Sequence, residues 1–142
     1  MNLKELMCVI VGAIGGYATS LLGGWDVALQ TLIIFMIIDY MTGCVVAAVF
    51  KKSTKTESGK LSSRVGFKGL CRKGMVLSIV LVATQLDKVA GSEIVRNAVI
   101  IGYIANESIS ILENAGLMGL PIPDVLRQTI DLLTKKESDK ID

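Results

Sequence analysis

Two consecutive stretches near the start of the chain decide the solvent in which it folds. Leu6 to Leu22 carries no charge over 17 residues, and Val27 to Phe50 carries one, Asp39, over 24. As a helix the first run would be about 26 Å long, slightly short of the roughly 30 Å hydrocarbon thickness of a bilayer. Lys4 flanks it on one side and Gly23, Gly24, Trp25 and Asp26 on the other, Trp being a residue that favours the headgroup interface. The segment is expected to be retained rather than cleaved as a signal peptide, because the small-residue cleavage pattern after it is poor. The second run must insert with its carboxyl. Its twelve Val, Leu, Ile and Phe residues, at about −0.3 to −0.6 kcal/mol each, outweigh one central Asp at roughly +2.5 to +3.5 kcal/mol.

Two further candidates follow. Gly74 to Ala90 is short but strongly apolar up to Asp87 and Lys88, and snorkelling of Arg72 and Lys73 would lengthen it. Ile94 to Leu112 holds nine Val, Leu and Ile residues, with Asn106 and Glu107 inside it and Glu113 beyond its end, so the apolar and polar contributions nearly cancel. It needs a protein neighbour or water to stay inserted. After Leu120-Pro121-Ile122-Pro123, which ends a helix, Asp124 is a plausible N-cap for a short amphipathic helix, and Lys135 to Asp142 is expected to be a frayed, charged tail. The mean hydropathy of +0.58 agrees with this pattern. The expected fold is an all-α integral membrane protein with three to four transmembrane helices (6–22, 27–50, 74–90 and 94–112), a basic loop at 51–73 and the C-terminal segment 124–142. The loop holds eight of the chain's fifteen Lys and Arg residues, which places it on the cytoplasmic side of a bacterial cytoplasmic membrane. With four spans both termini are cytoplasmic as well; with three the C-terminus is outside.

The same residues exclude several classes of function. There is no histidine, so imidazole chemistry is absent, and Cys8, Cys44 and Cys71 show neither disulfide pairing nor a zinc-ligand spacing; they read as reduced packing residues. No catalytic residue, metal or cofactor is expected. Nucleic-acid binding is not expected either, since aromatic stacking residues are nearly absent from the basic loop.

Four constellations remain. Tyr103, Asn106, Glu107, Ser110, Glu113 and Asn114 share one face of a helix whose opposite face is aliphatic. That face could line a pore or an oligomer contact, hold helices together within one monomer, or lie in the interface. Asp39, beside Thr42, Gly43 and Ala47, is a carboxyl at membrane depth that either marks a pathway or is hydrogen-bonded within the monomer. Gly12, Gly16, Ser20 and Gly24 recur every four residues as a seam for close helix approach, with Gly43 a further small packing position. Arg64, Lys68 and Arg72, with Lys73, would form a basic face above anionic lipid, or act only as a topology signal. Met1 and Met7 are two possible translation starts.

The motifs Asp39-Tyr40-Met41-Thr42-Gly43, LSSRVGFKGLCRKG from Leu61 to Gly74, Asp87, and NESISILENAGLMGLPIP from Asn106 to Pro123 resemble the toxin secretion/phage lysis holin family of Gram-positive phages and clostridia. The resemblance covers residues 35–123. It implies a non-enzymatic protein that oligomerises with itself among membrane lipids and opens lesions through which an endolysin, or in some relatives a large toxin, leaves the cell. A small ion channel or transporter, and a non-pore antiholin or membrane scaffold, are the competing expectations.

Overall fold

A computed structural model describes residues 1–141 of the chain, with 137, 140 and 141 as backbone only. Among the described residues the fold is entirely helical: α1 (Leu3–Leu21), α2 (Val27–Val45) running on into a π-helical turn (Val46–Phe50), α3 (Ser63–Ala90), α4 (Ile94–Leu117) and α5 (Asp124–Ile141). Asp142, the last residue of the expected charged tail, lies outside the described residues.

Local chemistry sets most of the helix ends. Asn2 and Glu5 form a reciprocal capping box at α1. Asp26 Oδ1 accepts from the Leu29 amide at 2.9 Å to start α2, and Ser62 starts α3. Lys51, at φ 54°, closes the π turn in the left-handed region, and Gly91, at φ 67°, ends α3 where only glycine is unstrained. At α5 the expected N-cap Asp124 stands in the first turn instead, and the tail is helical to Ile141, where Lys135 and Lys136 are good helix formers.

α4 is the hub. It packs against α2 along most of its length, against α3 on one side, and against α5 over its C-terminal half. Leu32 and Met36 from α2, Val80 from α3 and Ile100 from α4 form the core, with Leu22, Val76 and Ile104 closing around it. α1 buries none of its residues, and Gly12 and Gly16 have open space above them.

The outer surface is apolar where a soluble bundle would be charged: Ile10, Ile14, Ile34, Met41, Val82 and Leu86 are all exposed. Two helices, Leu3–Leu21 and Val27–Phe50, are long and apolar enough to cross a membrane by themselves. α3 and α4, at about 42 and 36 Å, have the length without the uniform apolar composition. The expectation of three to four spans therefore reduces to two self-sufficient ones, because α3 opens with basic turns and α4 carries Arg96, Asn106 and Glu107. The basic loop is also shorter than expected: helix begins at Ser63, so Arg64, Lys68, Arg72 and Lys73 are helical residues. Of the cysteines only Cys44 is partly packed; Cys8 and Cys71 are exposed.

Truncating Ile100 to Ala at the centre of this core should lower stability by about 2–5 kcal/mol, whereas Ile34→Ala on the exposed face should stay within about 0.5 kcal/mol. Thermal unfolding of both variants in one detergent checks this; equal melting would place the core elsewhere.

Candidate functional site

The packing of α2, α3 and α4 brings three charged side chains from widely separated parts of the chain into contact. Lys73 Nζ donates to Asp39 Oδ2 at 2.8 Å and to Glu107 Oε2 at 2.6 Å. Asp39 and Glu107 are each 5% exposed, so the ammonium lies between two carboxyls withdrawn from solvent. The cluster contains one carboxyl more than it has cations. Asn114, about two turns further along α4, extends the network: its Nδ2 donates to Thr42 Oγ1 at 2.9 Å and to Asp39 O and Oδ1 at 3.2 Å each. Gly43 lies beside this amide, where a Cβ would be in ordinary van der Waals contact at 3.8 Å. Tyr40 lies over Gly66 and Gly69 of α3, which have no side chains to hold the helices apart.

A cavity of about 660 Å³ adjoins the cluster between α2, α3, α4 and the 51–62 segment. Tyr103, Asn106, Glu107 and Ser110 line it from α4, facing Asp39 and Lys73. Most of the polar face expected of α4 is therefore turned into the monomer. Glu113 departs from it: this residue is exposed and borders a separate groove with Arg127 of α5. Of the basic residues, Lys68 and Arg72 line the cavity and Arg64 is exposed away from it. Lys73 is a correction: it does not face lipid, because the two carboxyls hold its ammonium inside the bundle. Ser20, like Gly12 and Gly16, lies on the unpacked α1, and among the described residues the expected seam has no partner within the monomer.

At the other end of the bundle lies a second cluster that sequence reasoning missed. Arg96, 7% exposed, reaches both carboxylate oxygens of Asp26 at 2.7 and 3.2 Å and also donates to the carbonyls of Leu22 and Gly24 at 2.6 and 3.2 Å. The turn before α2 closes around it: Gly23 has φ 91°, and a Cβ there would collide with the guanidinium. Asp87 completes the arrangement by accepting from the α4 amides of Val95 and Arg96 at 3.1 and 2.7 Å and from Ser92 Oγ at 2.6 Å, so the last turn of α3 caps α4. The available signal was an arginine two residues into an apolar run, which calls for a named partner. The hydrogen-bonded Arg96 guanidinium holds the Asp26 carboxyl below the ordinary carboxylate range, against the opposing effect of burial.

Removing the shared cation by Lys73→Met leaves two buried acids and should cost about 3–5 kcal/mol, while the triple variant Asp39→Asn, Lys73→Met, Glu107→Gln should recover most of it. A Lys73→Met protein that melts like the parent in detergent would deny the network any structural weight. A pH dependence follows from the Asp26 clamp. Its folded pKa lies below its unfolded value of about 3.9, so its contribution is complete above that value and is lost only as pH falls through the lower one. Acid unfolding of Asp26→Asn should lack this component, and superimposable acid limbs for the two proteins would assign it elsewhere.

The comparisons with known proteins converge. A sequence profile described as Bacteriophage holin family matches residues 16–135. An uncharacterised protein of Clostridium perfringens strain 13 is 36% identical over 139 residues, covering 95% of this chain and 97% of the relative. An uncharacterised protein of Halalkalibacterium halodurans is 40% identical over 142 residues, covering 96% of each chain. A probable holin of Bacillus phage phi105 is 30% identical over 113 residues, covering 79% of this chain and 78% of the relative. No solved structure gives a significant match.

Proposed function

We infer that this chain, which belongs to the bacteriophage holin family, assembles with copies of itself in the bacterial cytoplasmic membrane and opens lesions through which an endolysin or a large toxin leaves the cell. Membership makes it a non-enzymatic membrane protein. The observation that carries the finer reading is the polar face of α4, from Tyr103 to Ser110, turned towards a cavity that the monomer leaves unfilled. Such a face is costly against lipid and gains from any arrangement that gives it water or a polar neighbour.

In this reading α3 and α4 are the third and fourth spans, their deepest charges paired in Asp39–Lys73–Glu107 and in Asp26–Arg96. Lys51, Lys52, Lys55 and Lys60 between α2 and α3 favour the cytoplasmic face for that end, with both termini on the same side and the Asp26–Arg96 clamp outside. Assembly turns Asn106, Glu107 and Ser110 towards a shared lumen, and α1, which buries none of its residues among those described, offers its Gly12–Gly16–Ser20 face to another copy. A narrow ion channel or transporter is the second reading, favoured by one observation: a single monomer already carries both the charged cluster and a cavity beside it.

Inducible expression together with a cytosolic endolysin lacking an export signal separates these readings. Abrupt lysis after a delay, requiring both proteins, is the expected result; ion leakage without lysis would transfer the chain to the channel class, and no effect at all to a non-pore antagonist or scaffold. Glu107→Leu should still insert but abolish or mistime lysis, and unchanged timing would remove Glu107 from the mechanism.

A further inference from the structure

The cavity beside the charged cluster has walls of two kinds. Lys55, Lys68 and Arg72 border it, and among the described residues none of them makes an ion pair. Met75, Val76 and Ile79 continue the wall along α3, and Cys44 and Ala47 line the cavity from α2. The cations stand at one end and the apolar residues follow, Lys68 to Ile79 spanning about 17 Å of helix. Met75 and Ile79 are 61% and 38% exposed, so the cavity is open sideways along α3.

The level of these cations in the bundle is what calls for a ligand. Gly66 and Gly69 lie against Tyr40, which precedes Lys51 by about 16 Å of helix. Lys68 and Arg72 therefore stand beside the middle of the apolar segment Val27–Phe50 and not at its basic end. Lys73, in the same stretch, is neutralised by Asp39 and Glu107; Lys68 and Arg72 have no such acid, and a cation at that level is expensive unless an anion or water reaches it.

We propose that this cavity holds one acidic glycerophospholipid, its phosphate drawn down to Lys68, Arg72 and Lys55 and one acyl chain laid along Met75, Val76 and Ile79. Charge complementarity and the order of the two walls select an amphiphile over a free anion, and the volume lies within the range of ordinary small-molecule sites. Asn106 and Ser110 on the α4 side supply hydrogen-bonding groups at the level of the glycerol and ester oxygens. The lipid is thus a component of the fold, neutralising α3 from outside as Asp39 and Glu107 do from inside. This inference depends on residence in a membrane and not on lesion formation, so it stands or falls independently of the lysis experiment.

The test uses the full chain purified in a mild uncharged detergent, titrated with phosphatidylglycerol, with phosphatidylcholine and with inorganic phosphate, and followed by native mass spectrometry and thermal unfolding. One retained phosphatidylglycerol per chain and a raised melting temperature are expected, with neither effect from phosphatidylcholine or inorganic phosphate. Lys68→Gln with Arg72→Gln should weaken retention roughly thirtyfold, from the increment two basic residues contribute beside anionic lipid. Arg64→Gln, an exposed cation away from the cavity, should leave it unchanged. Met75→Trp, which blocks the apolar wall at an exposed position without changing charge, should also displace the lipid and keeps the test decisive if the double variant does not fold. Equal retention of phosphatidylcholine, stabilisation by inorganic phosphate alone, loss in Arg64→Gln as large as in the double variant, or undiminished binding by Met75→Trp would each overturn the proposal.

Discussion

The ammonium of Lys73, held between Asp39 and Glu107, is the interaction on which the arrangement of α2, α3 and α4 depends. Each of these charges alone is a liability in an apolar surrounding, and together they fix three helices in one register. Everything nearby is arranged around that point. Asn114 donates to the second carboxylate oxygen of Asp39, and Tyr40 of α2 lies against Gly66 and Gly69 of α3. The aliphatic core of Leu32, Met36, Val80 and Ile100 then packs between this cluster and the Arg96 clamp.

The two clusters divide the work of a chain with little hydrophobic contrast between its outside and its inside. In lipid the apolar effect does not drive helices together, so polar contacts and close packing must specify which helices are neighbours. Arg96 ties the α1–α2 turn to the start of α4, and Asp87 ties the end of α3 to the same turn of α4. α1 is left outside this scheme. Among the described residues it is secured at its C-terminal end, where Leu22 packs against the core and its carbonyl meets Arg96.

Much of this was legible in the sequence, and the exceptions have physical causes. Apolar run lengths located α1 and α2, the Pro pair located the break before α5, and the polar face of α4 was visible from helical spacing alone. The destination of that face was not, since periodicity says which residues share a side and nothing about what covers it. Lys73 was misplaced because it closes a run of basic residues and has a long stem, so snorkelling to the surface looked as natural as turning inward; only the positions of Asp39 and Glu107 on neighbouring helices decide between them. Arg96 was missed for the opposite reason. A single charge near the start of a long apolar run is easily absorbed into it, and its partner Asp26 lies 70 residues away.

Satisfying the polar groups inside one monomer has a consequence for assembly. If α4 is to present Glu107 and its neighbours to a shared lumen, the contact with Lys73 must be exchanged for water or for groups on another copy. Breaking one side of a buried pair costs about 3–5 kcal/mol unless it is replaced. In the proposed lesion an isolated chain would therefore stay closed, and opening would become favourable only where neighbours supplied the replacement, which would make the transition depend steeply on local density. A switch of that kind needs no separate sensing element, because the closed monomer and the open assembly compete for the same three side chains.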